Sequence, residues 1–192
     1  TLKLLLAACA VFAAAVSGGA DAKPFRWSSQ GDPQTSDPHS QNEGLTNLFA
    51  QQVHDTLVTR DKQLGIVPGL AVSWAKVNDT TWRFNLRQGV KFHDGSPFTA
   101  DDIVFSIERA QHPHSLLRQY ANLLGRPRKI DDHTVELTQQ DPNPILLQHA
   151  TLIYIMSKSW SAKHKVEQPL DFKSGQDSYA ARHAMGTGPW IL

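Results

Sequence analysis

An α/β fold is predicted by three stretches of this sequence. In TWRFNLR, Trp82, Phe84 and Leu86 alternate with Arg83, Asn85 and Arg87, the period of a strand with one dry face and one wet face. In KIDDHTVELTQ, an Asp131-Asp132 step separates Ile130 from Val135 and Leu137, which alternate with Thr134 and Glu136 as a hairpin would. In NEGLTNLFAQQVHDTLV, by contrast, Leu45, Leu48, Phe49, Val53 and Leu57 recur three and four residues apart, the period of a helix. Strands interleaved with helices give the α/β class, here with a mixed sheet and hairpins.

The elements follow in chain order. Lys3, the apolar run LLLAACAVFAAAV and the small residues SGGADA read as a secretory signal peptide over residues 1–22, with Ala20-Asp21-Ala22 as its A-x-A cleavage site. The run is short for a bilayer span and lacks the amphipathic period of a buried helix. Cys9 is the only cysteine, and LAAC superficially suits a lipoprotein site. The apolar core continues past it as AVFAAAV, which favours cleavage after Ala22 over lipidation at Cys9. Residues 23–192 then form the exported domain, without a disulfide.

FRWSSQ alternates like a strand, and GDPQTSDPHS is a loop in which Asp32 and Asp37 suit Asx turns ahead of their prolines. Gly65, Pro68 and Gly69 bend the chain into LAVSW. Gln88-Gly89 interrupts the Trp82 strand, and Val90 and Phe92 resume its alternation across Lys91. PNPILLQHA starts a short helix, LIYIM reads as a buried strand, and Ser157 or Ser159 caps a further helix.

Hydrophobic residues make up 40% and charged residues 19% of the 192, enough for a core and an ordinary surface. Lys+Arg 19 against Asp+Glu 18 leaves a net charge of +1, no electrostatic footprint for nucleic acid or an anionic membrane.

His93-Asp94 invites comparison with a metal-hydrolase HD pair. Gly95, Ser96 and Pro97 follow at once, however, and build a turn rather than the helix such ligands need. The helix starts later: Thr99 suits an N-cap, Asp102 completes a capping-box pattern, and Ala100, Ile103, Val104 and Ile107 share one face. The pair therefore reads as a corner between strand and helix. His54-Asp55 reads as a surface pair on the first helix, and His112-Pro113-His114 as an exposed loop. The chain has no G-x-S-x-G elbow, phosphate-cradling glycine loop or H-E-x-x-H helix, so the reading is a binding protein rather than an enzyme, with a secreted HD-type metal hydrolase as the rival.

Four ordered elements carry a resemblance: Leu70-Ala71-x-Ser73-Trp74, Thr81-Trp82-x-Phe84-x-Leu86-Arg87, Gly89-Val90-x-Phe92-His93-Asp94-Gly95 and Phe98-Thr99-Ala100-x-Asp102. With RWSSQGDPQTSDPHSQNEG before them and MGTGPWIL after, residues 23–192 resemble the extracellular solute-binding proteins of family 5, receptors of peptide, nickel and related ABC importers. The resemblance implies one incomplete lobe of a two-lobed periplasmic binding protein, a type II clamshell that closes on its ligand. It implies a periplasmic receptor, monomeric at full length, that hands peptides or a related small solute to ABC permease subunits and needs no cofactor. A nickel- or haem-type receptor of the same family is the alternative.

Ligands of α/β sheets sit outside the carboxyl ends of strands, which nominates Ser29 and Gln30 in the loop after the first strand. By resemblance, Thr151 and the backbone at Thr187-Gly188 also face the cleft. The plain alternative for each is a turn residue whose hydrogen bonds are met locally. Because a small-molecule site buries most of its ligand, one lobe alone is expected to hold peptide no tighter than millimolar.

Mass spectrometry of the exported protein is expected to find an N-terminus at Lys23; a diacylated Cys9 refutes that cleavage.

Overall fold

The computed structural model describes residues 29–175 and 177–191. The signal segment, Cys9 and most of FRWSSQ lie outside the described residues. Two units divide the chain, Thr1–Gly31 and Asp32–Leu192. In the first, Ser29 and Gln30 are exposed, and the Ser29 hydroxyl donates to the Gly31 carbonyl.

The alternating stretches form a sheet in the second unit. Strands β1 (Val58–Arg60) and β2 (Ile66–Pro68) pair as a separate two-stranded ribbon. Strands β3 (Ala71–Asn78), β4 (Thr81–Leu86), β5 (Arg126–Asp131) and β6 (Thr134–Thr138) form a four-stranded sheet in the order β3-β4-β6-β5. Every described pairing is antiparallel, so the expected mixed sheet is corrected. Tight turns at Asp79-Thr80 and Asp132-His133 join two of the pairs, and turns this short reverse the chain.

Trp82 faces Leu137 across the sheet, and Phe84 faces Val135. On the dry face Phe84, Leu86, Val135 and Leu137 are buried. On the wet face the Arg83 Nε and Nη2 reach Glu136 Oε1 at 2.9 and 2.6 Å, and Arg128 Nη2 reaches Oε2 at 2.6 Å. Trp82 is only half-buried, with the Lys76 ammonium 5.5 Å from its ring centroid. Its alternation is right and its full burial is not.

Helix α1 spans Gly44–Val53 and α2 spans Ala100–Gln111. Glu43 caps α1, accepting the Leu45 and Thr46 amides at 2.9 and 2.6 Å. Its buried residues are Thr46, Ala50 and Val53, while Leu48 is 49% exposed. The periodicity thus located the helix and placed Val53 correctly inside, but put Leu48 inward where Thr46 and Ala50 are buried instead. At the C-terminal end of α1 the carbonyls of Gln52 and Val53 accept the Trp190 and Gly188 amides.

Helix α2 follows its sequence closely. The Asp102 carboxylate reaches back to the Thr99 amide at 2.9 Å and accepts the Lys158 amide at 2.9 Å with its other oxygen. Ala100, Ile103 and Ile107 are buried against the sheet, with Val104 packed at the margin.

Three short helices follow, α3 (Arg118–Asn122), α4 (Leu146–Ala150) and α5 (Lys158–Lys163). Ser157, not Ser159, caps α5, accepting the Trp160 amide at 3.2 Å. LIYIM is buried from Ile153 to Met156 yet forms no strand beyond one bridge, Thr56 to Tyr154. A short apolar run fixes burial without fixing backbone form. Past α6 (Tyr179–Arg182), the 186–190 segment is likewise irregular. Val90 and Phe92 also lie outside any strand, in a tight loop closed by a Lys91–Pro97 bridge.

A polar cluster sits inside this apolar frame. Arg109, near the end of α2, is buried, and its guanidinium forks onto Asp37 at 2.8 and 2.6 Å. It also donates to the Val166 and Gln168 carbonyls at 3.0 and 3.2 Å, and to His39 Nδ1 at 3.1 Å. Asp37 does make the expected Asx turn, accepting the His39 amide at 3.0 Å. Burial by itself would raise the Asp37 carboxyl, but the Arg109 charge and hydrogen bonds hold it well below the usual range.

Phe84→Ala is expected to cost roughly 3–5 kcal/mol and Trp82→Ala clearly less, because only the first side chain is fully enclosed. Urea denaturation midpoints of the two variants check the order.

Candidate ligand site

The corner after Gly89 is a turn held by its own side chains. Asp94 Oδ1 accepts the Ser96 amide at 2.9 Å and the Ser96 hydroxyl at 2.6 Å, and Gly95 takes a φ of 84°. Phe92 and Phe98 leave the turn as a buried edge-to-face pair, centroids 6.3 Å apart. His93 has a second task that its sequence does not announce. Its amide donates to the Gly186 carbonyl at 3.1 Å, and its Nε2 donates to the Gly188 carbonyl at 2.8 Å. The HD pair is therefore a turn and a clamp on the 186–188 segment.

That segment lies directly on the end of α1. The Gly188 amide donates to the Val53 carbonyl at 2.9 Å, and a Cβ on Gly186 would stand 1.9 Å from the same oxygen. Only glycine allows this approach. Thr187, between the two glycines, turns its hydroxyl to Asp55 Oδ2 at 2.8 Å.

Asp55 opens onto a cavity of about 380 Å³. Gln52, His54 and Asp55 wall it from the end of α1, Thr59 and Arg60 from β1, and Thr151 and Leu152 from the turn after α4. The Thr151 hydroxyl donates to the Gln148 carbonyl at 2.8 Å, a local bond that holds the turn. The structure thus brings Thr151 and, through Asp55, Thr187 to one place. Gly188 stands behind them as a packing contact. Ser29 and Gln30 belong to the other unit of the chain.

His54-Asp55 is where the sequence reading needs correction. The helix ends at Val53, so the pair leaves its surface: His54 is buried and Asp55 half-buried. His54 Nδ1 donates to the Ile155 carbonyl at 3.2 Å, and its Nε2 meets no partner among the described residues. Burial pushes its pKa down to about 4. The signal that was available is an ionisable pair at the point where apolar periodicity gives way to TLV, just past a helix end.

His112 and His114 stack edge to face, centroids 4.9 Å apart, with the His114 amide donating to His112 Nδ1 at 3.2 Å. Among the described residues no group of three or more His, Cys, Asp or Glu is placed to hold a metal.

Sheet, clamp and cavity together define part of a two-lobed binding protein. The chain belongs to the bacterial extracellular solute-binding proteins of family 5, whose model matches residues 65–192. These are binding proteins rather than enzymes. The peptide transport periplasmic protein SapA of Salmonella typhimurium is 31% identical, covering 88% of this chain and 34% of its own length. Among solved structures, AgaA of A. tumefaciens R10 in complex with agropinic acid superposes with a TM-score of 0.71 at 26% identity, over 84% of this chain and 31% of its own. NikZ of Campylobacter jejuni in complex with Ni(L-His) shares the fold, with a TM-score of 0.69 at 22% identity, over 84% of this chain and 31% of its own. The chain spans about a third of the length of these relatives.

Stability is expected to fall as pH drops from 7 to 5. His54 and His39, the latter depressed by burial and by Arg109 to about 3, stay neutral in the folded protein across this range. The unfolded chain protonates both below about 6.5. Each histidine then removes about 1.4 kcal/mol per pH unit once its unfolded form is charged. Asp37 has the opposite history. Ionised in both states at pH 5, it withdraws its support only as pH falls below 4 toward its depressed folded value. Urea unfolding at pH 7 and pH 5 checks the slope; equal stability at both would mean that neither imidazole is held neutral.

Proposed function

We propose that this protein is the substrate-binding component of an ABC importer, exported to the periplasm, where it captures peptides or a related small solute for delivery to permease subunits. The family match over residues 65–192 carries the reading. The name of the Salmonella typhimurium relative, a peptide transport periplasmic protein, supports both compartment and cargo. Capture and release need differential affinity and closure, not a covalent step.

In this reading Thr151, Thr187 and Gly188 are ligand-binding residues of the larger unit, and Ser29 and Gln30 are ligand-binding residues of the first. Ser29 and Gln30 offer exposed donors and acceptors. Thr151 and Thr187 support the reading through their common approach to the Asp55 cavity. Gly188 serves by its backbone, since its amide and carbonyl already bind Val53 and His93.

Deleting the gene is expected to abolish uptake of labelled di- and oligopeptides by the bacterium that carries it, with complementation restoring it. Unchanged peptide uptake with lost nickel or haem uptake would transfer the protein to the other branch of the family.

A further inference from the structure

The outer part of the β1–β2 ribbon stands clear of the core. The two strands pair only with each other, and every residue from Thr59 to Gly65 is exposed. A tight turn built on Asp61 closes the tip. The Asp61 amide donates to the Gly65 carbonyl at 3.0 Å, and the Leu64 amide donates to the Asp61 carbonyl at 3.0 Å. Asp61 Oδ1 accepts the Gln63 and Gly65 amides at 2.9 and 2.8 Å.

Leu64 is out of place in this turn in two ways. Its φ of 64° lies in the left-handed region, where a Cβ crowds the backbone and glycine or asparagine is at ease. It is also 71% exposed, so its side chain gains nothing from the core. Neither the turn nor the fold accounts for a leucine here. A strained residue held in place by its neighbours points to use outside the fold.

The charge around it is one-sided. Arg60 and Lys62 are exposed and form no ion pair with another described residue. The Asp61 carboxylate, by contrast, is turned onto the amides of its own turn. The tip thus offers one apolar side chain together with two cations. It also rises from the rim of the Asp55 cavity, because the exposed residues Thr59 and Arg60 line that cavity. A protein that takes solute from the cavity has to meet this rim.

We infer that the ribbon tip is a docking point for the permease, with Leu64 entering an apolar recess rimmed by carboxylates on the permease's periplasmic face. The inference rests on the reading of this protein as an importer's receptor, and adds the surface that meets the permease. A second copy of the chain fits less well, since its own tip carries the same cations.

The test uses the full-length protein in the bacterium that carries it. Uptake of labelled di- and oligopeptides and binding of the same peptides by the purified protein are read separately. Leu64→Gly and Leu64→Asn, which suit the left-handed backbone, are expected to hold or raise the unfolding midpoint and to leave peptide binding unchanged. Uptake at limiting peptide is expected to fall roughly ten-fold, the affinity that one buried leucine supplies. Lys62→Glu is expected to lower uptake as well, and a photo-crosslinker placed at position 64 is expected to capture a permease subunit. Capture of a second receptor copy instead overturns the inference. So does undiminished uptake by the Leu64 variants in a strain whose uptake needs the gene, or a fall in uptake matched by a fall in peptide binding. If deleting the gene leaves peptide uptake intact, the receptor reading fails and the inference with it.

Discussion

The buried fork of Arg109 on Asp37 is the contact on which the rest of this structure depends. A guanidinium has five N–H donors, and here all five are used: two on Asp37, one on His39 and two on the carbonyls of Val166 and Gln168. One side chain at the end of α2 thereby fixes the loop at 37–39 and the chain at 166–168. Asp37 extends the net to the Ser40 hydroxyl at 2.8 Å, and His39 Nε2 extends it to the Tyr154 carbonyl at 2.9 Å. A pair this enclosed adds less to stability than its Coulomb energy suggests, because both charges lost their water. Removing one partner is another matter, costing roughly 3–5 kcal/mol by stranding the other. Its value lies in arrangement: it brings together segments that the sheet does not reach.

The Asp55 cavity is held by the same device on a smaller scale. Tyr154, anchored by His39, bridges to Thr56, and Ile155 accepts from His54. From the other side His93 presses Gly186 and Gly188 onto Val53, which presents Thr187 to Asp55. His39, His54 and His93 thus each tie a ring nitrogen to a backbone carbonyl, that of Tyr154, Ile155 and Gly188 in turn.

Much of the fold was legible because its signals are local. Alternation in TWRFNLR and TVELT, the Thr99-to-Asp102 cap and the turn at Asp94 each lie within a few residues, and each appears in the structure. What was not legible involves partners far apart in sequence. Nothing near Asp37 announces Arg109, so the residue read as a simple turn former. Nothing near His54 announces Ile155, so a buried acceptor read as surface. The LIYIM run failed differently: its burial was evident, but its backbone bonds go to Asp55 and to the Ser106 hydroxyl rather than to a neighbouring strand. For the site, Thr151 lines one cavity and Thr187 reaches it through Asp55, whereas Arg60 was passed over and His54-Asp55 was read as a surface pair.

The contact between Gly188 and Val53 also sets an order of assembly. The hairpins of the sheet join neighbours in the chain, so they close at little entropic cost and can form early. The glycine clamp joins residues more than a hundred positions apart and so closes a far larger loop than either hairpin. Until it arrives, Asp55 lacks the hydroxyl of Thr187 and the end of α1 lies uncovered. The hairpins are therefore in place before the surroundings of Asp55 are completed, and a chaperone that shields the end of α1 during that interval would protect the uncovered carbonyls of Gln52 and Val53.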